Sequence, residues 1–214
     1  MNLNRGSARV DAIDGLRAVA VLSVIAFHFH TSLAPSGFVG VDIFFVISGY
    51  VISMSLTQNS LTSTLQYILE FYKRRFLRIM PALVCCLLIV GLLSILFIPH
   101  AWLSGSNDKT GLFAFAGLSN FALLSNVDGY FNARADFNPY LHTWSLAVEE
   151  QFYLLFPLIF LLWLKQNTLR GTNIYFAKYI VPVLGVLSLV WSAYQTTHDP
   201  RLAFYMLPSR FWEL

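Results

Sequence analysis

From Ile79 to Ile98 the chain runs for twenty residues without a charged side chain. A helix of that length rises about 30 Å, the thickness of the hydrocarbon core of a bilayer. A helix packed on a soluble core carries an apolar stripe, not an apolar circumference, so this segment reads as a membrane span. Stretches at 13–33, 38–57, 141–164 and 179–197 make it one of five. A further apolar piece, Leu112 to Leu124, has about 13 residues, short of what the hydrocarbon core requires. Composition agrees: 57% of the 214 residues are hydrophobic and 12% charged, where a soluble domain carries roughly a quarter charged residues. An ordinary soluble domain and a disordered chain are both excluded. The expected fold is all-α, a polytopic transmembrane helical bundle of about 5 to 6 spans, with residues 1–214 forming one membrane domain.

Charge placement orients the spans. The net charge is only +3, and the basic residues stand between apolar segments rather than along one stripe, so nucleic acid is not an expected partner. Arg5 and Arg9 precede the first span, and Lys73, Arg74, Arg75 and Arg78 lie between the second and third. By the positive-inside rule both groups belong in the cytoplasm, which puts the N-terminus inside and the loop Ala34 to Gly37 outside. Lys165, Arg170 and Lys178 are cytoplasmic only if 112–124 does not cross, so that piece is expected to be re-entrant or interfacial. Ser63 and Gln66 have capping-box spacing for an amphipathic interfacial helix through Leu65, Ile68, Leu69, Tyr72 and Phe76. Pro81 is expected in the first turn of the third span, where proline is tolerated. The adjacent Cys85 and Cys86 lie in an uncharged run and suggest neither a disulfide nor a metal site. No metal is expected. The last residues, Pro208 to Leu214, stop without a polar tail, and the chain reads as part of something longer.

Ionisable groups inside spans cost a few kcal/mol each and point to function. Arg17 and His28 are 11 residues apart, about 16 Å along a helix and within roughly 20° of one face. An imidazole can act as general base or nucleophile, whereas an arginine stays charged and clamps anions. The alternative is structural, with Arg17 snorkelling to the headgroups and His28 bonded to a neighbouring helix. Asp42, near the start of the second span, can face an aqueous pocket, pair with His28, or sit as a helix N-terminal charge. Ser48 and Gly49 read as helix-packing residues. Arg75 and Arg78 share a helix face and can hold a phosphate or pyrophosphate, or simply anchor to lipid phosphate. In the stretch from Leu141 to Tyr153, His142 and Glu149 are seven residues apart and so on one helix face, while Glu150 points about 100° away. Carboxylates there can serve as acid or base, or pair with arginine.

Taken in order, Arg17 with His28, the run Gly37 to Tyr50, Arg75-Phe76-Leu77-Arg78 before Pro81, and His142-Thr143-Trp144-Ser145-Leu146-Ala147-Val148-Glu149-Glu150-Gln151-Phe152-Tyr153 resemble the acyltransferase 3 family of membrane O-acyltransferases. The stretch Phe204 to Leu214, which includes Arg210, looks like a further family motif. The resemblance runs from about Asp11 to the C-terminus, roughly the first half of a family member with about ten spans. It implies transfer of an acyl group, commonly acetyl, from cytoplasmic acyl-CoA to sugars of bacterial surface polysaccharides such as lipopolysaccharide. The implied setting is the bacterial cytoplasmic (inner) membrane.

On this reading acyl-CoA is the donor substrate and no cofactor is permanently bound. The expected partners are acyl-CoA, a glycan acceptor and the lipid bilayer. Arg75 and Arg78, with Arg17, hold the donor's phosphates. His28 activates the sugar hydroxyl or carries the acyl group, and Asp42, Glu149 or Glu150 orients and charge-balances the imidazole. His142 and Arg210 are additional candidates. A proton-coupled transporter of a small solute is the alternative, since intramembrane His, Asp and Glu also describe a proton relay. It would have no need of a cytoplasmic phosphate clamp.

Overall fold

The computed structural model describes residues 11–57, 64–98, 105–125, 138–168 and 177–214. All regular elements among them are helical. They are α1 (Asp11–Phe29), α2 (Gly40–Thr57), α3 (Thr64–Phe97), α4 (Gly105–Phe115), α5 (Ser119–Ser125), α6 (Thr143–Thr168), α7 (Ala177–His198), α8 (Pro200–Tyr205) and α9 (Leu207–Arg210). Short 3-10 turns occupy Gly37–Val39 and Phe211–Glu213. Among the described residues, five helical stretches are long and apolar enough to cross a membrane: Asp11–Phe29, Gly37–Thr57, Leu65–Phe97, Thr143–Leu161 and Tyr179–His198. They coincide with the five spans read from hydropathy. Their outward faces carry exposed Leu88, Leu92, Ile95, Val183, Val186 and Val190, a surface suited to lipid and adverse in water.

The expectations of a separate interfacial helix and of Pro81 in a first turn are corrected. The interfacial helix and the third span are one continuous helix of 34 residues, α3, and Pro81 lies in its interior rather than in a first turn. Proline removes one backbone bond, whereas ending the helix there would orphan several groups in apolar surroundings. The Ser63 cap lies outside the described residues. The piece at 112–124 is split: α4 and α5 have 11 and 7 residues, and each is too short to span hydrocarbon. The break falls at Ala116–Leu118, where Gly117 takes φ +64°, a backbone conformation open to glycine at no steric cost.

The chain divides into two compact units, Met1–Ser53 with Glu213–Leu214, and Met54–Trp212. In the first, α1 lies against the turn that starts α2. Both Gly37 and Gly40 are buried there, and a Cβ at Gly37 would meet the Ser23 carbonyl and Phe27, while one at Gly40 would meet the Ala20 carbonyl and Ser23 Oγ. Gly49 likewise lies against the backbone of Leu214, the close approach expected of a small packing residue in a span.

The second unit is built around α6. Phe152, Phe156 and Phe160, one helical turn apart, form a buried aromatic row, with Phe152 and Phe156 stacked at 4.7 Å and Phe211 at 5.7 Å from Phe152. The Tyr72 hydroxyl donates to the Leu154 carbonyl at 2.7 Å and ties α3 to α6. Leu83, Leu87 and Ala114 form a smaller core with Met80, Tyr140 and Leu146. The Tyr140 ring fits there because Gly111 has no side chain to meet it. Ser188 of α7 donates to the Pro208 carbonyl at 2.7 Å and accepts from the Trp212 amide at 3.1 Å, which fastens the C-terminal motif to α7. The start of α8 is capped by Asp199, whose carboxylate accepts from the amides of Arg201 and Leu202, with Pro200 in the first turn.

Candidate active site

The first unit carries Arg17, His28 and Asp42. Arg17, in the second turn of α1, donates to Asp14 at 3.3 Å, one turn earlier on the same helix. Both side chains are about one-third exposed, so this is a weakly stabilising pair that holds the guanidinium near the helix start. His28 is exposed in the last turn of α1, with its ring edge-on to Phe27 at 5.1 Å. A ring so placed is accessible to a hydroxyl and can take its proton. Asp42 is half-buried in the first turn of α2, where the helix dipole favours an anion.

The second unit carries the remaining candidates. Arg75 and Arg78 lie one turn apart on α3. Arg78 is exposed and Arg75 half-buried. The Arg75 guanidinium stands 5.0 Å from the centre of the Tyr153 ring and 5.8 Å from that of Phe71. The Tyr153 hydroxyl in turn donates to Glu149 Oε2 at 2.6 Å. One buried tyrosine thus touches both an arginine of α3 and a carboxylate of α6. Glu150, on another side of α6, has its carboxylate against Gly117, so that a Cβ at that glycine would collide with it.

The neighbouring Gln151 donates to the Gly117 carbonyl at 3.2 Å and to Asn120 Oδ1 at 2.9 Å, and Asn120 donates to the Tyr205 carbonyl at 3.0 Å. These bonds satisfy polar groups freed where α4 gives way to α5. Arg210 of α9 donates through Nε to the Phe204 carbonyl at 3.2 Å and lies over the rings of Phe204 and Trp144 at 5.1 and 5.8 Å. Trp144 and Phe204 are in ring contact at 4.4 Å. The motif at 142–153 and the motif at 204–214 therefore pack together through an arginine and two aromatic rings. His142 is exposed and precedes the first residue of α6; its carbonyl accepts from Ser145 Oγ. The same-face relation to Glu149 assumed a helix already running at His142, and the helix begins one residue later.

Sequence reasoning gave no role to Tyr153, Asn120 or Gln151. The spacing of Tyr153 four residues after Glu149 was the available signal, since such pairs meet on a helix face. The links of Asn120 and Gln151 cross between elements, and no local pattern announces them.

Fold and contacts together describe a polytopic helical membrane protein with charged side chains anchored within its spans. The sequence model of the Acyltransferase domain family matches residues 10–212, and the chain belongs to that family. It is 39% identical over 211 residues to a peptidoglycan O-acetyltransferase, OatA, of Listeria monocytogenes, covering 96% of this chain and 32% of that protein. It is 35% identical over 192 residues to an O-acetyltransferase, OatA, of Staphylococcus aureus, covering 90% of this chain and 31% of that protein. The chain thus spans about a third of the length of these curated relatives. No solved structure matches.

Proposed function

We propose that this chain is the membrane part of an O-acyltransferase that moves an acetyl group from cytoplasmic acyl-CoA to a hydroxyl of a cell-surface glycan. The observation that carries the reading is membership of the Acyltransferase domain family over nearly the whole chain. The name of the Listeria relative makes peptidoglycan the first acceptor to test, in place of the lipopolysaccharide suggested by the family resemblance. The proposed setting is the bacterial cytoplasmic membrane, with the N-terminus inside.

Each candidate residue is assigned a role in this reading. Arg75 and Arg78, one turn apart, offer two guanidiniums to the donor's phosphates, a geometry in which bidentate hydrogen bonds form. Arg17 adds positive charge. His28, exposed on α1, removes the proton from the acceptor hydroxyl as that oxygen attacks the thioester carbonyl; the C–S bond then breaks and CoA leaves as the thiol. Alternatively the imidazole nitrogen itself attacks and carries the acetyl group to the acceptor. Asp42, in the same unit as His28, supplies the negative charge that balances an imidazolium, and Glu149, Glu150, His142 and Arg210 are accessory.

The test supplies radiolabelled acetyl-CoA to membranes containing the protein and follows the label. Label appearing in peptidoglycan or another glycan as a base-labile ester supports the reading. Label that remains in acetyl-CoA, with no glycan modified, overturns it.

A further inference from the structure

We propose that Tyr153 is a positioning residue that presents the Arg75 guanidinium to the phosphates of the acyl donor, using Glu149 to polarise its ring. The inference rests on the reading of Arg75 as a donor-binding group and adds to it the residue that makes it rigid. Tyr153 is buried, 7% exposed, at mid-length of α6. It meets two groups of opposite charge by two different parts of the ring system. The phenolic hydroxyl donates to Glu149 Oε2 at 2.6 Å, a short charge-assisted bond. The ring lies 5.0 Å from the Arg75 Cζ, within the range where a cation is attracted to an aromatic face.

These contacts reinforce one another. A phenol that shares its proton with a carboxylate carries more electron density on its ring, and a richer ring holds a cation more firmly. A contact of this kind uses the charge of the guanidinium rather than its N–H donors. Phe71, one turn before Arg75 on α3, adds a second ring at 5.8 Å. The two ring contacts narrow the rotamers open to a long side chain before the donor arrives, and the ordering cost of binding falls. Lysine in the same place would have neither a face to lay on the ring nor a planar fork to offer a phosphate.

The test compares KM for acetyl-CoA, kcat, and equilibrium binding of radiolabelled acetyl-CoA for the intact protein in nanodiscs. Tyr153→Leu should raise both KM and Kd for acetyl-CoA about tenfold, with kcat within about twofold, because the lost interaction acts on donor binding rather than on the chemical step. Tyr153→Phe keeps the ring and loses the link to Glu149, so it should give a smaller rise, about threefold. Should the leucine variant fail to insert, the phenylalanine variant decides by the same measurements. Arg75→Lys should weaken donor binding, and adding Tyr153→Leu to it should cost little more, since both remove one interaction.

If Arg75→Lys weakens donor binding while the Tyr153 variants bind like wild type, the positioning role is overturned and the donor-binding role of Arg75 stands. A fall in kcat at unchanged KM and Kd in the Tyr153 variants, or fully multiplicative effects in the double variant, overturns it equally. If Arg75→Lys itself leaves KM and Kd unchanged, the donor-binding reading fails, and the inference that rests on it fails with it.

Discussion

The side-chain amide of Gln151 on α6 donates to the side-chain carbonyl of Asn120 on α5 at 2.9 Å. Asn120 is completely buried, and its own amide reaches the Tyr205 carbonyl at the end of α8. One asparagine therefore joins three helices that are far apart in the chain. The bond pattern uses both ends of its amide, so no residue of similar size and different chemistry replaces it.

Asn120→Leu fills a comparable volume and leaves the Gln151 amide and the Tyr205 carbonyl without this partner. Removing one partner from a buried polar group costs about 1–3 kcal/mol, so the variant should unfold at a distinctly lower temperature in detergent micelles. An unchanged melting temperature would show that these groups find other partners and that the asparagine is dispensable.

Gly117 takes φ +64° and lies against the Glu150 carboxylate. Gly117→Ala should destabilise by at least about 1–2 kcal/mol, the cost of a left-handed residue with a Cβ, before any displacement of Glu150 is added. Gly185, in the middle of α7, has open space around it, and Gly185→Ala should leave stability equal or slightly raised because alanine is the better helix former. Thermal unfolding of the two variants side by side checks the contrast, and equal behaviour would remove the special role of Gly117.

His28 is exposed at the end of α1, so its truncation should spare expression and membrane insertion. His28→Ala should nevertheless abolish acetyl transfer, since a general base or nucleophile contributes about 100-fold or more. Turnover above about a tenth of wild type would remove both roles from this side chain.

The basic residues in the first half of α3, Lys73 to Arg78, are expected on the cytoplasmic side, and α3, α6 and α7 are each long enough to cross. In a background with Cys85→Ala and Cys86→Ala, Lys73→Cys should react with an impermeant thiol reagent only from the cytoplasmic side, and Thr197→Cys only from outside. Both sites are exposed. Labelling of both from the same side would show an additional crossing between them, and the assignment of α4 and α5 as non-spanning would be wrong.

Much of the framework was legible because lipid imposes it residue by residue. A segment such as Ile79 to Ile98 has to be helical and long enough to cross, since every backbone polar group in hydrocarbon must be satisfied within the segment. The five spans followed from composition and length alone. The same local logic exposed the charged residues within them, because a charge at that depth is costly enough to stand out from any apolar background. The family motifs gave those charges an expected chemistry.

Tertiary structure decided how they are held. The sequence placed Arg75 and Glu149 on different helices, and only packing put Tyr153 where its ring meets one and its hydroxyl the other. It likewise brought Trp144 and Phe204, sixty residues apart, into the contact over which Arg210 lies, and it broke the apolar piece at 112–124 at Gly117 rather than leaving one helix. Hydropathy is a sum over neighbours in the chain and fixes which segments enter lipid. Hydrogen bonds and ring contacts between segments depend on rotation and depth of each helix against the others, and those are set by side-chain fit that no single stretch of sequence contains.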